Sequence, residues 1–529
     1  MAISEPDRTD PATIQRSPST RFHGILFDRS DVPAGDTAAS SDAFADLHLD
    51  DVIAAITDGR TAYDLTPFFA APLDDIATIS FRHDVFRDLD GTPLLSCVRA
   101  FVRQMRVMRD HLGHATKSYY RYEQERWFLD AVDLYCDAVG VLARDLAEAE
   151  PRSSGFIGLR GYLTSYVDSP GFSQLVDETR QLKAALDAIR YRLNIAGNRI
   201  TVSPYGDEPD YSADVLQTFE KFKQGAVSPR QFGVSSWQDM NHVEAAILDR
   251  VARLYPEIFA SLDEYFTRHQ GFPDSGVIRF DREVHFYIAY LEHVERFRAA
   301  GLAFCYPLVT DRSKEIRGTA VFDLALAAIL VRERGEVVTN DFHLADPERI
   351  FVVSGPNQGG KTTFARTIGQ LHHLARIGVP VPGSSASLAL VDRIFTHFER
   401  EENLQNLSGK LEDDLRRIHE IIERATPRSL LVMNESFSST TVSDSLFLNK
   451  AVMRQIIERD LICVTVTFLD ELASFGPTTV SMVSTVEPDD LARRTFRIVR
   501  QPADGLAYAW AIAEKYQLAY TDVKRRVLR

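Results

Sequence analysis

The run Ile350-Phe351-Val352-Val353-Ser354-Gly355-Pro356-Asn357-Gln358-Gly359-Gly360-Lys361-Thr362-Thr363 constrains the fold more than any other part of this chain. Four apolar residues, a glycine-rich turn and then Phe364-Ala365-Arg366-Thr367-Ile368 predict a buried strand that passes through a tight loop into a helix. Gly355-x-x-x-x-Gly360-Lys361-Thr362 satisfies the P-loop (Walker A) pattern G-x-x-x-x-G-K-[ST]. Each part has a physical reason. Glycines let backbone N–H groups turn toward phosphate oxygens without a Cβ in the way. The helix N-terminus adds its dipole and its unpaired N–H groups. Lys361 supplies a positive charge for β/γ-phosphates, and the Thr362 hydroxyl suits Mg²⁺. The expected nucleotide-binding residues are therefore Gly355, Pro356, Asn357, Gln358, Gly359, Gly360, Lys361, Thr362 and Thr363, with ATP and Mg²⁺ as cofactors.

A second carboxylate site lies downstream. Leu430-Leu431-Val432-Met433 reads as an apolar strand that ends in Asn434-Glu435. P-loop ATPases carry an acid pair at such a place, one to steer the metal shell and one to orient the attacking water. Here the first is an amide, so weaker Mg²⁺ binding and slower hydrolysis are expected. Glu435 is the general-base candidate, and Glu435, Asn434 and Lys361 are the candidate catalytic residues. Thr362, Asn434 and Glu435 form the candidate metal set.

At 529 residues the chain is too long for one simple core. From residue 336 onward, short apolar runs (Ile350–Val353, Ser429–Met433, Leu461–Val466) alternate with helical patterns (Thr362–Ile377, Lys410–Ala425, Ser443–Arg459), which predicts an α/β domain with a largely parallel sheet. Residues 43–335 read as mainly helical. Segments 118–150, 241–269 and 279–300 are long and amphipathic, with an apolar stripe at Val98, Phe101, Val102, Met105 and Met108 and another at Leu175, Leu182, Leu186 and Ile189. One interruption, Tyr191–Ile195 and Arg199–Ser203 around Ala196-Gly197-Asn198, predicts a β-hairpin with a polar loop after it at 204–210. The expected organisation is multi-domain. It has a flexible segment 1–42, a mainly helical domain 43–335 carrying the hairpin 191–203, an α/β P-loop domain 336–515, and a basic C-terminal helix or tail 516–529.

Composition narrows the partners. The net charge of −15 excludes a generally basic nucleic-acid coat, so any nucleic acid must meet a local basic surface. Candidate surfaces are Arg103/Arg106/Arg109, Arg493/Arg494/Arg497/Arg500 and Lys524/Arg525/Arg526/Arg529, although each charge run also reads as a solvated face. The hairpin also reads as a candidate contact tip. Tyr119, Tyr120, Tyr122, Trp127 and Phe128 could stack on bases but read better as core. Adjacent His372 and His373 diverge on a helix and cannot share one metal. Cys97, Cys136, Cys305 and Cys463 lack metal or redox spacing and read as reduced thiols. The N-terminus has no apolar signal region. The longest apolar run, Ala320–Val331, falls short of the roughly 20 residues a membrane helix needs, so a cytoplasmic protein is expected.

The loop "GPNQGGKTT", with Pro and Asn inside it, resembles the ATPase domain of the MutS family of DNA mismatch repair proteins. Three later segments match the family in order: "GVPVPGSSASLALVDRIFTHF" (378–398), "LLVMNESFSSTTVSDSL" (430–446, at the Walker B place) and "VTVTFLDELASFG" (464–476). The resemblance covers 336–515 firmly and the helical 45–335 region more weakly, which is similar to the family's lever and core. It implies ATP-phosphate and magnesium roles for Asn357, Lys361 and Thr362. It implies a signature role for Ser408 in "NLSGKLEDDL", reaching a partner's γ-phosphate, though the "GRSTF"-like surroundings are absent. It also implies a homodimer through facing ATPase domains, binding to DNA without sequence specificity, and other repair proteins as further partners.

Four departures from the family stand out. Asn434 replaces Asp; Thr467-Phe468 replaces a Thr-His pair; Val337 or Val338 takes the place of the adenine-stacking aromatic; and no mismatch-reading N-terminal domain or Phe-x-Glu wedge fits, Gly171-Phe172-Ser173 reading only as a loop. No appended nuclease domain is expected after Arg529. The resemblance implies a MutS-like DNA-binding ATPase acting in mismatch repair or recombination without reading the mismatch. The alternatives are an ATP-gated clamp or scaffold with negligible hydrolysis, owing to Asn434 and Phe468, and a generic ABC-type ATPase serving a protein complex.

Overall fold

The computed structural model describes residues 22–28, 41–206, 240–400, 409–487 and 489–503. The tail 516–529 and Ser408 lie outside the described residues. By internal contacts the chain forms two units. Among the described residues, one comprises those of 91–151 and 156–281 and the other those of 23–90, 152–155 and from 282 onward. This division differs from a boundary at 336, because residues 23–90 and 282–335 pack with the α/β segment.

The first unit is helical. Helices Pro93–Lys117 and Arg121–Glu148 are joined by three residues and pack along each other. Val98, Phe101, Met105 and Met108 form the buried stripe of the first. Phe128 is buried among Tyr265, Phe266 and Phe272, while Tyr120, Tyr122 and Trp127, which stacks on His114, are half-buried and Tyr119 is exposed at 92%. Two expectations are corrected here. The segment 241–269 is two helices, His242–Leu254 and Pro256–Arg268: Pro256 has no N–H to continue the first helix and sits well at the first position of the second. Gly171-Phe172-Ser173 is not a loop but the first turn of helix Pro170–Asp187, capped by the Ser169 side chain, with Phe172 buried. Strands β1 (Tyr191–Ala196) and β2 (Arg199–Pro204) pair antiparallel, and Gly197, at φ 58°, supplies the left-handed turn.

In the second unit, β3 (Phe304–Cys305) pairs with β8 (Val381–Pro382), while β4 (Leu308–Thr310), β9 (Ser385–Ala389), β5 (Ile316–Val321) and β6 (Asn340–Leu344) make a four-stranded sheet in that order. The main sheet has six strands: β10 (Ile394–His397), β11 (Leu430–Asn434), β12 (Ile462–Val466), β7 (Ile350–Ser354), β13 (Thr479–Glu487) and β14 (Asp490–Arg500), in that order. All neighbours are parallel except β13 and β14, which form an antiparallel pair.

The pleat of β7 explains the layers. Its even-numbered residues Ile350 and Val352 join Ile418 and Ile422 of helix Lys410–Arg424, and Val452, Met453 and Ile456 of helix Val442–Glu458, in one core. Phe351 points to the other face, where its ring lies 6.3 Å from that of Phe364 on helix Lys361–Arg376. A sheet covered on both faces requires near-continuous apolar strands, and Ile350–Ser354 is buried throughout.

Helix Lys361–Arg376 is itself enclosed: all its residues but Thr362, Thr363 and Arg366 are buried. The N-terminal segment supplies the cover. Gln370 donates to the Leu47 carbonyl (2.9 Å) and accepts from the Leu324 N–H (2.9 Å). His373 donates to the Phe69 carbonyl (2.9 Å), Arg376 pairs with Asp74 (2.9 Å), and Arg82 donates to the Ile377 carbonyl (2.7 Å). Burial pushes His372 and His373 down to about 4, so both are neutral packing groups that bond backbone carbonyls. Among the described residues, no helix is long and apolar enough to cross a membrane.

Candidate functional site

The site lies where β7, β11 and β12 end. β7 closes on Ser354 and hands the chain to Gly355, at φ 110°. A Cβ there would stand 2.8 Å from the Ser484 carbonyl oxygen, and one on Gly359 would overlap the Ser484 hydroxyl. The loop glycines are therefore required by the neighbouring strand β13 as well as by any ligand. Ser484, fully buried, donates to the Gly359 carbonyl (2.7 Å) and fixes the loop to the sheet. Gly360, at φ 88°, is the N-cap of helix Lys361–Arg376. Pro356 and Gly359 are buried, while Asn357 and Gln358 are exposed.

Lys361 folds back into this loop. Its ammonium donates to the carbonyls of Gly355 (2.8 Å) and Pro356 (3.1 Å) and to Asn357 Oδ1 (3.2 Å). Burial lowers its pKa, the negative charges of Glu435 and Asp470 oppose that, and Arg494 adds to it. The Thr362 hydroxyl donates to Asn434 Oδ1 (2.8 Å). Loop and strand end thus meet through two of the three residues that the patterns single out for the metal. Thr363 continues the helix; its carbonyl accepts from Thr367.

Asn434 is the last residue of β11, and Glu435 follows in a left-handed conformation (φ 50°), its N–H donating to the Val466 carbonyl (2.9 Å). Phe437 is also left-handed (φ 58°) and fully buried, which anchors the turn. Such non-glycine conformations cost about 1 kcal/mol or more each and mark places that the surroundings over-determine. Thr467 is held by its N–H to the Val353 carbonyl (3.0 Å), whereas Phe468 beside it is 49% exposed. Val337 and Val338 are half-buried.

Several residues of this neighbourhood escape the sequence patterns. His397, buried at the end of β10, shares a 3.1 Å hydrogen bond with Ser436, the residue after Glu435, and lies 3.4 Å from the buried Asp414 carboxylate. Its place in "IFTHF" is the one signal that could have drawn attention to it. The basic clusters divide. Arg109 pairs with buried Asp281, Arg500 pairs with Glu348, and Arg494 donates to the Asn357 carbonyl (3.2 Å), while Arg103, Arg106, Arg493 and Arg497 are exposed. Among the described residues, no cluster of three or more His, Cys, Asp or Glu could hold a metal. The third cluster, 524–529, lies outside the described residues.

The architecture defines a mixed helical and α/β protein with a mostly parallel six-stranded sheet, whose central strand enters its helix through a glycine-rich loop bearing a lysine. Residues 351–487 match the family model of MutS domain V. Similar proteins include an endonuclease MutS2 of Thermus thermophilus, 32% identical over 36% of this chain and 26% of the relative. They also include a DNA mismatch repair protein MutS of Solibacter usitatus (28%, over 45% and 27%) and the mismatch repair protein Msh3 of Mus musculus (31%, over 31% and 15%). The likeness to the MutS family thus rests on the segment 351–487 and its surroundings. It spans about a quarter or less of the length of these curated relatives.

Proposed function

We propose that this protein binds and hydrolyses ATP with Mg²⁺ and binds DNA as a homodimer joined through its ATPase domains, acting in mismatch repair or recombination. The observation that carries this reading is the meeting of Lys361, Thr362, Asn434 and Glu435 at one end of the parallel sheet, inside the segment that matches MutS domain V. The donor set fits nucleotide and metal together. One carboxylate, one amide oxygen and one hydroxyl are too few for an all-protein Mg²⁺ cage, but suit an ion that takes further oxygens from phosphate and water. Mg²⁺ would there offset phosphate charge.

The chain's own groups divide the work. Lys361 leaves the loop carbonyls for β/γ-phosphate oxygens, and Asn357 follows it. Thr362 and Asn434 would hold the metal's shell, Glu435 would orient the attacking water, and the left-handed turn keeps Glu435 at the end of the sheet. DNA phosphates would meet exposed cations such as Arg103 and Arg106, and the hairpin β1–β2 offers a contact tip.

A second reading, an ATP-gated clamp with negligible turnover, is favoured by two observations: the neutral amide at Asn434 and the apolar, exposed Phe468 where the family has His. ATP hydrolysis by the wild type, Glu435→Ala and Lys361→Ala, with and without branched and linear duplex DNA, tests both. Turnover that both substitutions abolish and that DNA changes supports the first reading. ATP binding lost in Lys361→Ala with no turnover under any condition leaves the clamp. ATP binding unaffected by Lys361→Ala overturns both.

A further inference from the structure

Arg494 comes to the phosphate loop from an element that no loop motif includes. It lies on β14, opposite Val486 of β13, beside the irregularity where the β13–β14 register shifts. Its Nε–H donates to the Asn357 carbonyl (3.2 Å). Asn357 also receives the Lys361 ammonium, through Oδ1. Two cations therefore converge on one loop residue, from the helix side and from the hairpin side. Their charges act on each other: Arg494 is among the groups that make the Lys361 ammonium harder to hold.

Like charges brought together in a half-buried place cost free energy unless an anion joins them. Within reach of Lys361 the chain supplies the negative charges of Glu435 and Asp470. The hairpin is not adrift: Ser484 on β13 bonds Gly359, and Thr485 and Thr495 bond each other across the two strands (2.5 Å). Arg494 is thus delivered by a strand pair fixed to the loop, in the same chain, at the end where Lys361 sits. A guanidinium presents planar paired donors that match phosphate oxygens.

We infer that Arg494 is a second phosphate-binding cation of this site, contacting the β/γ end of a bound nucleoside triphosphate from the β13–β14 hairpin. The inference rests on the nucleotide reading above. Charge at that end should matter more for ATP than for ADP, because the terminal phosphoryl group adds the charge that Arg494 meets.

The test measures calorimetric affinities of the full chain for ATP and ADP in the wild type, Lys361→Ala, Arg494→Ala, Arg494→Lys and Arg494→Gln, with thermal melting to confirm folding. Gln can still donate to the Asn357 carbonyl but carries no charge, so it separates a loop staple from a phosphate contact. Arg494→Ala and Arg494→Gln should each weaken ATP about tenfold, the scale of one charge-assisted hydrogen bond, with a smaller loss for ADP. Arg494→Lys should recover part of the ATP preference. Should Arg494→Ala prove unfolded, the Gln and Lys variants decide. An unchanged ATP-to-ADP affinity ratio in Arg494→Gln overturns the inference, as does an equal loss for both nucleotides, which marks a staple. Wild-type ATP binding by Lys361→Ala overturns the nucleotide reading itself, a distinct result.

Discussion

Replacing Asn434 by Asp tests the site where it departs most from the MutS pattern it resembles. The Asn434 side chain accepts the Thr362 hydroxyl at 2.8 Å, with Glu435 next in sequence and the Lys361 charge within electrostatic reach of Glu435. A neutral acceptor contributes about 1 kcal/mol per hydrogen bond and a charged one about 1.5–3 kcal/mol. The carboxylate should therefore strengthen the hold on a metal-bound water by about 1–1.5 kcal/mol, close to tenfold. The opposite holds without metal: a carboxylate beside Glu435 adds like-charge repulsion and should lower the melting temperature of the metal-free protein. The assay is a Mg²⁺ titration of ATP binding and turnover, wild type against Asn434→Asp. The half-saturating Mg²⁺ concentration should fall about tenfold, and hydrolysis at low Mg²⁺ should rise. An unchanged or higher half-saturation point would refute the role given to Asn434, because an added negative charge that leaves metal binding unmoved does not face the metal.

Two further outcomes follow from packing. Gly359→Ala places a Cβ onto the Ser484 hydroxyl and 2.9 Å from the Pro356 carbonyl, so it should destabilise the chain by about 1–3 kcal/mol and weaken ATP, and Ser484→Gly should restore part of both; a neutral Gly359→Ala in denaturant titration would show that the loop is not clamped by β13. In the helical unit, burial holds Asp281 up at about 6, above the ordinary carboxylate value of 3.8, although Arg109 pairs with it. The folded chain thus binds more protons than the unfolded one between these values, so this group's contribution favours folding at low pH and is lost as pH rises from about 4 through 6, on the order of 3 kcal/mol at most. Asp281→Asn should flatten that part of the stability-versus-pH curve, and Arg109→Met should destabilise the protein at pH 7 by a few kcal/mol because it strands a buried carboxylate. A curve unchanged by Asp281→Asn would contradict the assigned burial.

What could be read from the sequence and what could not divide along a physical line. Local patterns carry local structure: the runs at 350–353, 429–433 and 461–466 are strands β7, β11 and β12, because a sheet covered on both faces demands unbroken apolar stretches. The break at Pro256 was also legible in principle, since proline cannot continue a helix, yet the amphipathic stripe on either side of it disguises the join. Long-range placement carries no such mark. Nothing in residues 43–90 announces that Leu47, Phe69 and Asp74 cover the helix that begins at Lys361; that follows from a helix apolar or neutral on nearly every side, which has to be roofed by some other segment.

The arginines make the same point more sharply. Arg493, Arg494, Arg497 and Arg500 read as one basic stripe, but neighbours in a strand alternate faces. Arg500 is used by Glu348, and Arg494 by a loop carbonyl 137 residues earlier. A charge run in sequence is therefore not a charge patch in space. The one member of this run that reaches the candidate site does so through strand pairing, where β13 presses Ser484 against the loop glycines and β14 brings Arg494 to the residue that also holds Lys361. If that pairing sets where the second cation lies, substitutions that disturb the β13–β14 register should shift ATP affinity without touching the P-loop sequence at all.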